Sequence, residues 1–213
     1  MTNRFINILL EKLNVQYDPE IVPVMIEEYS IPLSCYSNVE KKVLEDGGSI
    51  HYGWNIHENG SIYEAEHHAV WENETGDLID ITPNQLKKAE ILFVSDNKFI
   101  DNGQSLDNVR INITKNIIVD DFILIAEFFF KLYNFGKRID DQQFLISPNI
   151  NRIILEYEMW KGQLDLLIKG GATEKSKCYC GSRKSYKNCH HQLLKNSIST
   201  DYKKAKEYAK SKN

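Results

Sequence analysis

Residues 64–83 read Glu-Ala-Glu-His-His-Ala-Val-Trp-Glu-Asn-Glu-Thr-Gly-Asp-Leu-Ile-Asp-Ile-Thr-Pro. In an extended strand, neighbours point to opposite faces. A strand over Ile62–Trp71 therefore puts Tyr63, Ala65, His67, Ala69 and Trp71 on one face, the more apolar one, expected to pack on the core. Ile62, Glu64, Glu66, His68, Val70 and Glu72 share the other. The next strand candidate, Asp77–Ile81, separates Ile79 and Ile81 from Leu78, Asp80 and Thr82. With Glu74-Thr75-Gly76 as the hairpin loop and Gly76 left-handed, Trp71 pairs with Ile79 and Ala69 with Ile81. His68 then lies on the face of Asp80, one diagonal away, within reach of an imidazole–carboxylate contact. A two- or four-residue loop breaks this agreement. Glu64 and Glu66 share the His68 face, where they either raise its pKa or form a solvated surface.

Upstream, Leu33-Ser-Cys-Tyr-Ser-Asn-Val opens a short helix. Ser34 is its cap, Val39, Val43 and Leu44 its apolar face, and Gly47-Gly48 its stop. Cys35 falls in the first turn, where unpaired N–H groups and the helix dipole favour a thiolate. Thiol chemistry needs these residue types: a thiolate attacks, an imidazole takes the proton, and a carboxylate orients the imidazole. Cys35, His68 and Asp80 are the candidates. The oxyanion donor is expected from the Cys35 N–H plus Trp54 or Tyr52. Singly, each residue has a plainer reading: a small buried hydrophobe, a packed strand histidine, a turn initiator before Thr82-Pro83.

The segment resembles the transglutaminase-like cysteine-enzyme superfamily. Members place Cys at a helix N-terminus, His in a His-Ala-Trp-like strand and Asp in an Asp-Pro-Thr-like strand. The counterparts are Cys35, His68-Ala69-Val70-Trp71 and Asp80-Ile81-Thr82-Pro83, covering roughly residues 30–95. Val70 separates Ala69 from Trp71, and only eleven residues lie between His68 and Asp80. The resemblance implies a cysteine hydrolase or acyltransferase on a transglutaminase-like, papain-like α+β fold.

Around this segment, residues 4–14 have helical spacing, and Pro19, Pro23 and Pro32 punctuate the stretch after them. Further strands are expected at Ile50–Ile56 and Ile91–Val94, and a loop over Asp96–Asn108. Helices are expected at Asp120–Tyr133 and 149–169, ended by Gly170-Gly171, with Phe128, Phe129 and Phe130 as core. Helices, then antiparallel strands, then helices define an α+β class. The expected division is a transglutaminase-like domain over 1–170 and a small appendage over 171–213.

That appendage carries Cys178-Tyr-Cys180-Gly-Ser-Arg-Lys-Ser-Tyr-Lys-Asn-Cys189-His190-His191. Three thiolates and one imidazole suit tetrahedral zinc. Four protein ligands leave no open position, so the ion is structural, and its binding supplies folding energy. The spacing resembles the SEC-C motif, also found at the end of the preprotein-translocase ATPase. The resemblance implies Cys178, Cys180, Cys189 and His190 as ligands, with His191 the competing fourth. Arg183 stands where the family usually has a second glycine. A separate site built from His51, His57, His67 and His68 is disfavoured, because strand parity does not gather them.

The 213 residues have a net charge of −4, which hides a division. Residues 1–169 hold 15 basic and 27 acidic side chains, a net of −12; residues 170–213 hold 11 and 3, a net of +8. A basic tail fits a protein, ribosomal or other anionic partner reached through the zinc knuckle, with nucleic-acid contact non-specific. Asp201–Lys212 reads as a basic amphipathic helix or a frayed tail. No apolar run approaches the ~18 residues of a membrane span, and the start does not read as a signal peptide, so a cytoplasmic location is expected. Nothing marks a sugar, nucleotide or redox-cofactor site. Beside the enzyme reading stands a non-catalytic zinc-knuckle adaptor.

Overall fold

A computed structural model describes residues 3–84, 87–96, 98, 106–140 and 143–210. The chain divides into two compact units: Met1–Ile111 with Arg138–Gln143, and Asn112–Lys137 with Phe144–Asn213. This division differs from the expected boundary at 170. Cys178, Tyr186, Leu194 and Ala205 share one apolar core with the two preceding helices, so contacts do not thin out at the Gly170-Gly171 linker.

The first unit opens with α1 (Arg4–Leu13), capped by the Asn3 side chain. Five strands take the order β1-β5-β2-β3-β4: β1 (Glu20–Pro23), β2 (Ser49–Asn59), β3 (Ile62–Glu72), β4 (Leu78–Ile79) and β5 (Glu90–Ser95). A sixth, β6 (Val109–Asn112), pairs with β3. The pairings β1–β5, β2–β5, β2–β3 and β3–β4 are antiparallel. A parallel bridge between Val24 and Asp80 nearly closes the sheet on itself.

The hairpin has the expected register: Trp71 faces Ile79, Asn73 bonds Asp77, and Gly76 is left-handed at φ 87°. The β3–β4 ladder stops at Ile79. Asp80 turns to β1, its N–H donating to the Pro23 carbonyl at 2.9 Å and its carbonyl accepting from Met25 N–H at 2.8 Å. Strand β1 escapes a pattern-based reading because it is four residues long and ends in a proline, whose carbonyl is nevertheless free to accept. Most of the expected loop over Asp96–Asn108 lies outside the described residues.

Both faces of β3 are covered, not one. The helix α2 (Cys35–Asp46) lies over Ala69, Trp71, Ile79 and Ile81, with Val39 fully buried. On the other face Val70 packs with Val22, Ile91 and Phe93. This makes His67–Val70 a continuous buried run. Gly53 faces His68 across the β2–β3 ladder. A Cβ there would collide with the Val94 carbonyl and the Phe93 ring. Its absence leaves no side chain opposite the imidazole.

The second unit packs α3 (Ile117–Tyr133), α4 (Pro148–Lys169) and α5 (His190–Lys210). Asn116 caps α3, and Ser147 caps α4 with Pro148 in its first turn, where a missing N–H costs nothing. Phe128 and Tyr157 meet edge to face at 4.8 Å in a core with Ile125, Leu132, Ile154 and Leu164. The basic tail is helical through Lys210, tied to α4 by the Tyr157 hydroxyl, which donates to Asp201 at 3.1 Å. None of the described helices is long and apolar enough to cross a membrane.

Candidate active site and metal centre

Cys35 is the first residue of α2 and is buried. Ser34 occupies the cap position, but its side chain makes no capping bond. The first-turn N–H groups of a helix have no intrahelical acceptor beyond the cap, so a residue here sits at the positive end of the helix dipole. The turn before it passes through Leu33 at φ 64°, a backbone region side chains rarely adopt.

His68 and Asp80 come together as the hairpin register requires. His68 Nε2 lies 3.1 Å from Asp80 Oδ1, the two side chains 9% and 2% exposed. The carboxylate approaches off the ring N–H axis, so this is a close charge contact, not an aligned hydrogen bond. Asp80 Oδ1 also accepts from the Thr82 N–H at 2.9 Å. The Cys35 sulfur lies close enough to the same imidazole to act on its charge. Burial pushes the His68 pKa down. Interactions with Cys35 and then Asp80 outweigh that and hold it well above 6.5. The structure thus gathers Cys35, His68 and Asp80 from a helix, a strand and a strand end.

The three line one cleft of about 380 Å³ with Pro32, Leu33 and Asn55. Glu64, on the same strand face as His68, accepts from Arg110 Nε and Asn108 Nδ2, each at 2.8 Å. Trp54 and Tyr52 are not placed as oxyanion donors. They pair with His67 and Ala69, on the face opposite His68, and Trp54 Nε1–H donates to Asp96 at 2.9 Å. The four strand histidines do not converge: His51 contacts Glu72 and Ser95, His57 faces Glu64, and His67 contacts Tyr36.

In the second unit Cys178, Cys180, Cys189 and His190 present ligand atoms that all lie within 4.8 Å of one another. Cys180 and Cys189 sulfurs are 3.5 Å apart, and His190 Nδ1 is 3.0 Å from Cys178 Sγ and 3.5 Å from Cys189 Sγ. A tetrahedron with zinc–sulfur bonds of ~2.3 Å has edges of about 3.8 Å, so the group fits such an ion. Burial pushes the Cys178 thiol up, while Ser182 hydrogen bonds bring Cys180 down to about 7. Burial also lowers the His190 pKa, favouring the neutral imidazole a metal needs.

His191 stands outside this group. Its Nδ1 donates to buried Asp121 on α3 at 2.8 Å, and the Tyr186 hydroxyl donates to the same carboxylate at 2.7 Å. Gly181 and Arg183 are both left-handed, at φ 76° and 62°. The arginine therefore holds a conformation suited to glycine.

The chain matches no protein-family model, and comparison with curated proteins and with solved structures gave no match. The residues that sequence reading passed over are polar partners: buried Asn38 one turn after Cys35, half-buried Tyr36 with His67, and buried Asp121 with Tyr186 and His191. Asn38 and Tyr36 come within one helical turn of Cys35, the only signal available for them. Asp121 lies 65 and 70 residues from its partners and carries none.

Proposed function

We propose that the first unit is a Cys-His-Asp thiol enzyme of transglutaminase-like type acting on an amide or thioester acyl group. One observation carries the reading: a buried imidazole 3.1 Å from a carboxylate, lining one cleft with a helix N-terminal thiol. Cys35 sulfur attacks the acyl carbonyl, forming a C–S bond. His68 holds the proton and delivers it to the departing amine or thiolate as the C–N or C–S bond breaks. Water or an amine then takes the acyl group, and the proton returns through His68. Asp80 orients the ring throughout. The test is incubation with p-nitrophenyl acetate, read by intact and peptide mass spectrometry. Acetylation confined to Cys35 and lost in His68→Ala supports the reading. Labelling unaffected by His68→Ala, or none at Cys35, rejects it.

In the same proposal Cys178, Cys180, Cys189 and His190 form a SEC-C zinc knuckle whose ion shapes the loop and takes no part in chemistry. A second reading is favoured by the net charge of +8 over residues 170–213. The knuckle and α5 would then be the working part, an adaptor contacting a protein, ribosome or other anionic surface. Such binding survives Cys35→Ala and is lost on Cys189→Ala or at high salt, where charge contacts are screened.

A further inference from the structure

Asn38 lies three residues after Cys35 and is 4% exposed. Its amide is fully engaged. Oδ1 accepts from the Ile31 N–H at 2.9 Å, and Nδ2 donates to the Ile31 carbonyl at 2.9 Å and to Thr82 Oγ1 at 3.2 Å. The first two bonds grip the backbone where it enters the turn leading through Leu33 to Cys35. The third reaches the segment holding Asp80: Thr82 N–H donates at 2.9 Å to Asp80 Oδ1, the oxygen 3.1 Å from His68. A chain of contacts therefore runs from the turn before Cys35, through Asn38, Thr82 and Asp80, to His68.

Packing alone does not call for this residue. The neighbouring Val39, wholly buried, already supplies the apolar contact of α2 with Ala69 and Ile81. A buried amide is costly unless its bonding groups are used, and here each lands on a segment that carries or flanks a site residue. The left-handed Leu33 needs such a hold, since strained backbone persists only where its surroundings over-determine it.

Resting on the thiol-enzyme reading, we infer that Asn38 is a positioning residue: it fixes the turn of Cys35 against the Asp80 segment so that His68 meets both at once. It touches no substrate and acts through Thr82 and Ile31.

The experiment measures Cys35 alkylation by iodoacetamide at pH 6 and pH 9 on full-length, zinc-loaded protein, by peptide mass spectrometry. Asn38→Leu keeps the side-chain shape and removes all three bonds. Thr82→Val removes only the bridging acceptor. Each is expected to lower the pH 6 to pH 9 rate ratio about tenfold, equivalent to one pKa unit. Val39→Ala, which opens a cavity in the same helix contact, is expected to lose stability and keep the ratio. Should Asn38→Leu fail to fold, Thr82→Val decides. Wild-type ratios in the folded Asn38 and Thr82 variants overturn the inference, as does an equal fall in Val39→Ala. A wild-type ratio that ignores His68→Ala removes the thiol-enzyme reading and this inference together. A ratio that responds to His68→Ala but not to Thr82→Val removes the inference alone.

Discussion

The Tyr36 hydroxyl lies 2.5 Å from His67 Nδ1, and these two residues are the sequence neighbours of Cys35 and His68. A second link thus runs beside the first, on the opposite face of β3, with Trp54 standing edge-on to the His67 ring at 4.8 Å. It bonds the N-terminus of α2 to the strand that carries the imidazole. Removing the hydroxyl leaves a buried ring nitrogen without that partner. Tyr36→Phe is expected to cost about 1–3 kcal/mol, read as a lower urea midpoint at unchanged slope.

His68 gives a pH prediction with a definite sign. Its folded pKa is raised above the ordinary 6.5. Its contribution to stability is therefore complete below about 6.5 and is lost as pH rises through the folded value. In Cys35→Ser the leading cause of the rise is gone and burial, which pulls down, remains. The His68 ring resonance in a proton–carbon NMR titration should move above 6.5 in the wild type and fall in Cys35→Ser. A titration unchanged by the substitution would break the link between thiol and ring.

Metal removal should be felt in the second unit. Trp160 stands edge-on to His190 at 5.3 Å, and α5 begins at that histidine. Chelation is expected to shift Trp160 fluorescence and open the amides of 177–194 to hydrogen exchange, with Cys189→Ala reproducing both effects. The amides of β2 and β3 should keep their protection.

Arg183 at φ 62° offers a stabilising substitution. A non-glycine residue in the left-handed region costs ~1 kcal/mol, so Arg183→Gly should tighten zinc binding about fivefold in a chelator competition. An affinity unchanged or weakened would show that the arginine side chain contributes more than its backbone loses.

Gly53 tests the packing around the imidazole. Gly53→Ala forces a methyl into the Val94 carbonyl and the Phe93 ring, with backbone on one side unable to yield cheaply. The expected loss is ~3 kcal/mol, seen as a fall in thermal midpoint.

How much the sequence disclosed depends on how local each signal is. The hairpin register was readable because a three-residue loop and period-two side chains allow few pairings, and Gly76 marks the left-handed position. The cysteine spacing was readable because ligands close in the chain can meet only by turning at Gly181. The second face of β3 was not, because its cover comes from Val22 and Phe93, distant in sequence and joined by sheet curvature. The fourth ligand stayed open between His190 and His191 until Asp121, on another helix, was seen to engage the latter. Asn38 carries no mark beyond its place one helical turn from Cys35: its meaning lies in Thr82, 44 residues on.

The departure of Asp80 from the hairpin limits how small a working piece of this protein can be. Residues 30–95 include Cys35, His68 and Asp80, yet omit Glu20–Met25, whose backbone receives Asp80 on both its N–H and carbonyl sides. Excised, that stretch would keep all three reactive groups and lose the rail that holds one of them. The shortest transplantable unit must therefore begin before Glu20. Its assembly includes a long-range closure, Val24 onto Asp80, which forms more slowly than the hairpin it completes.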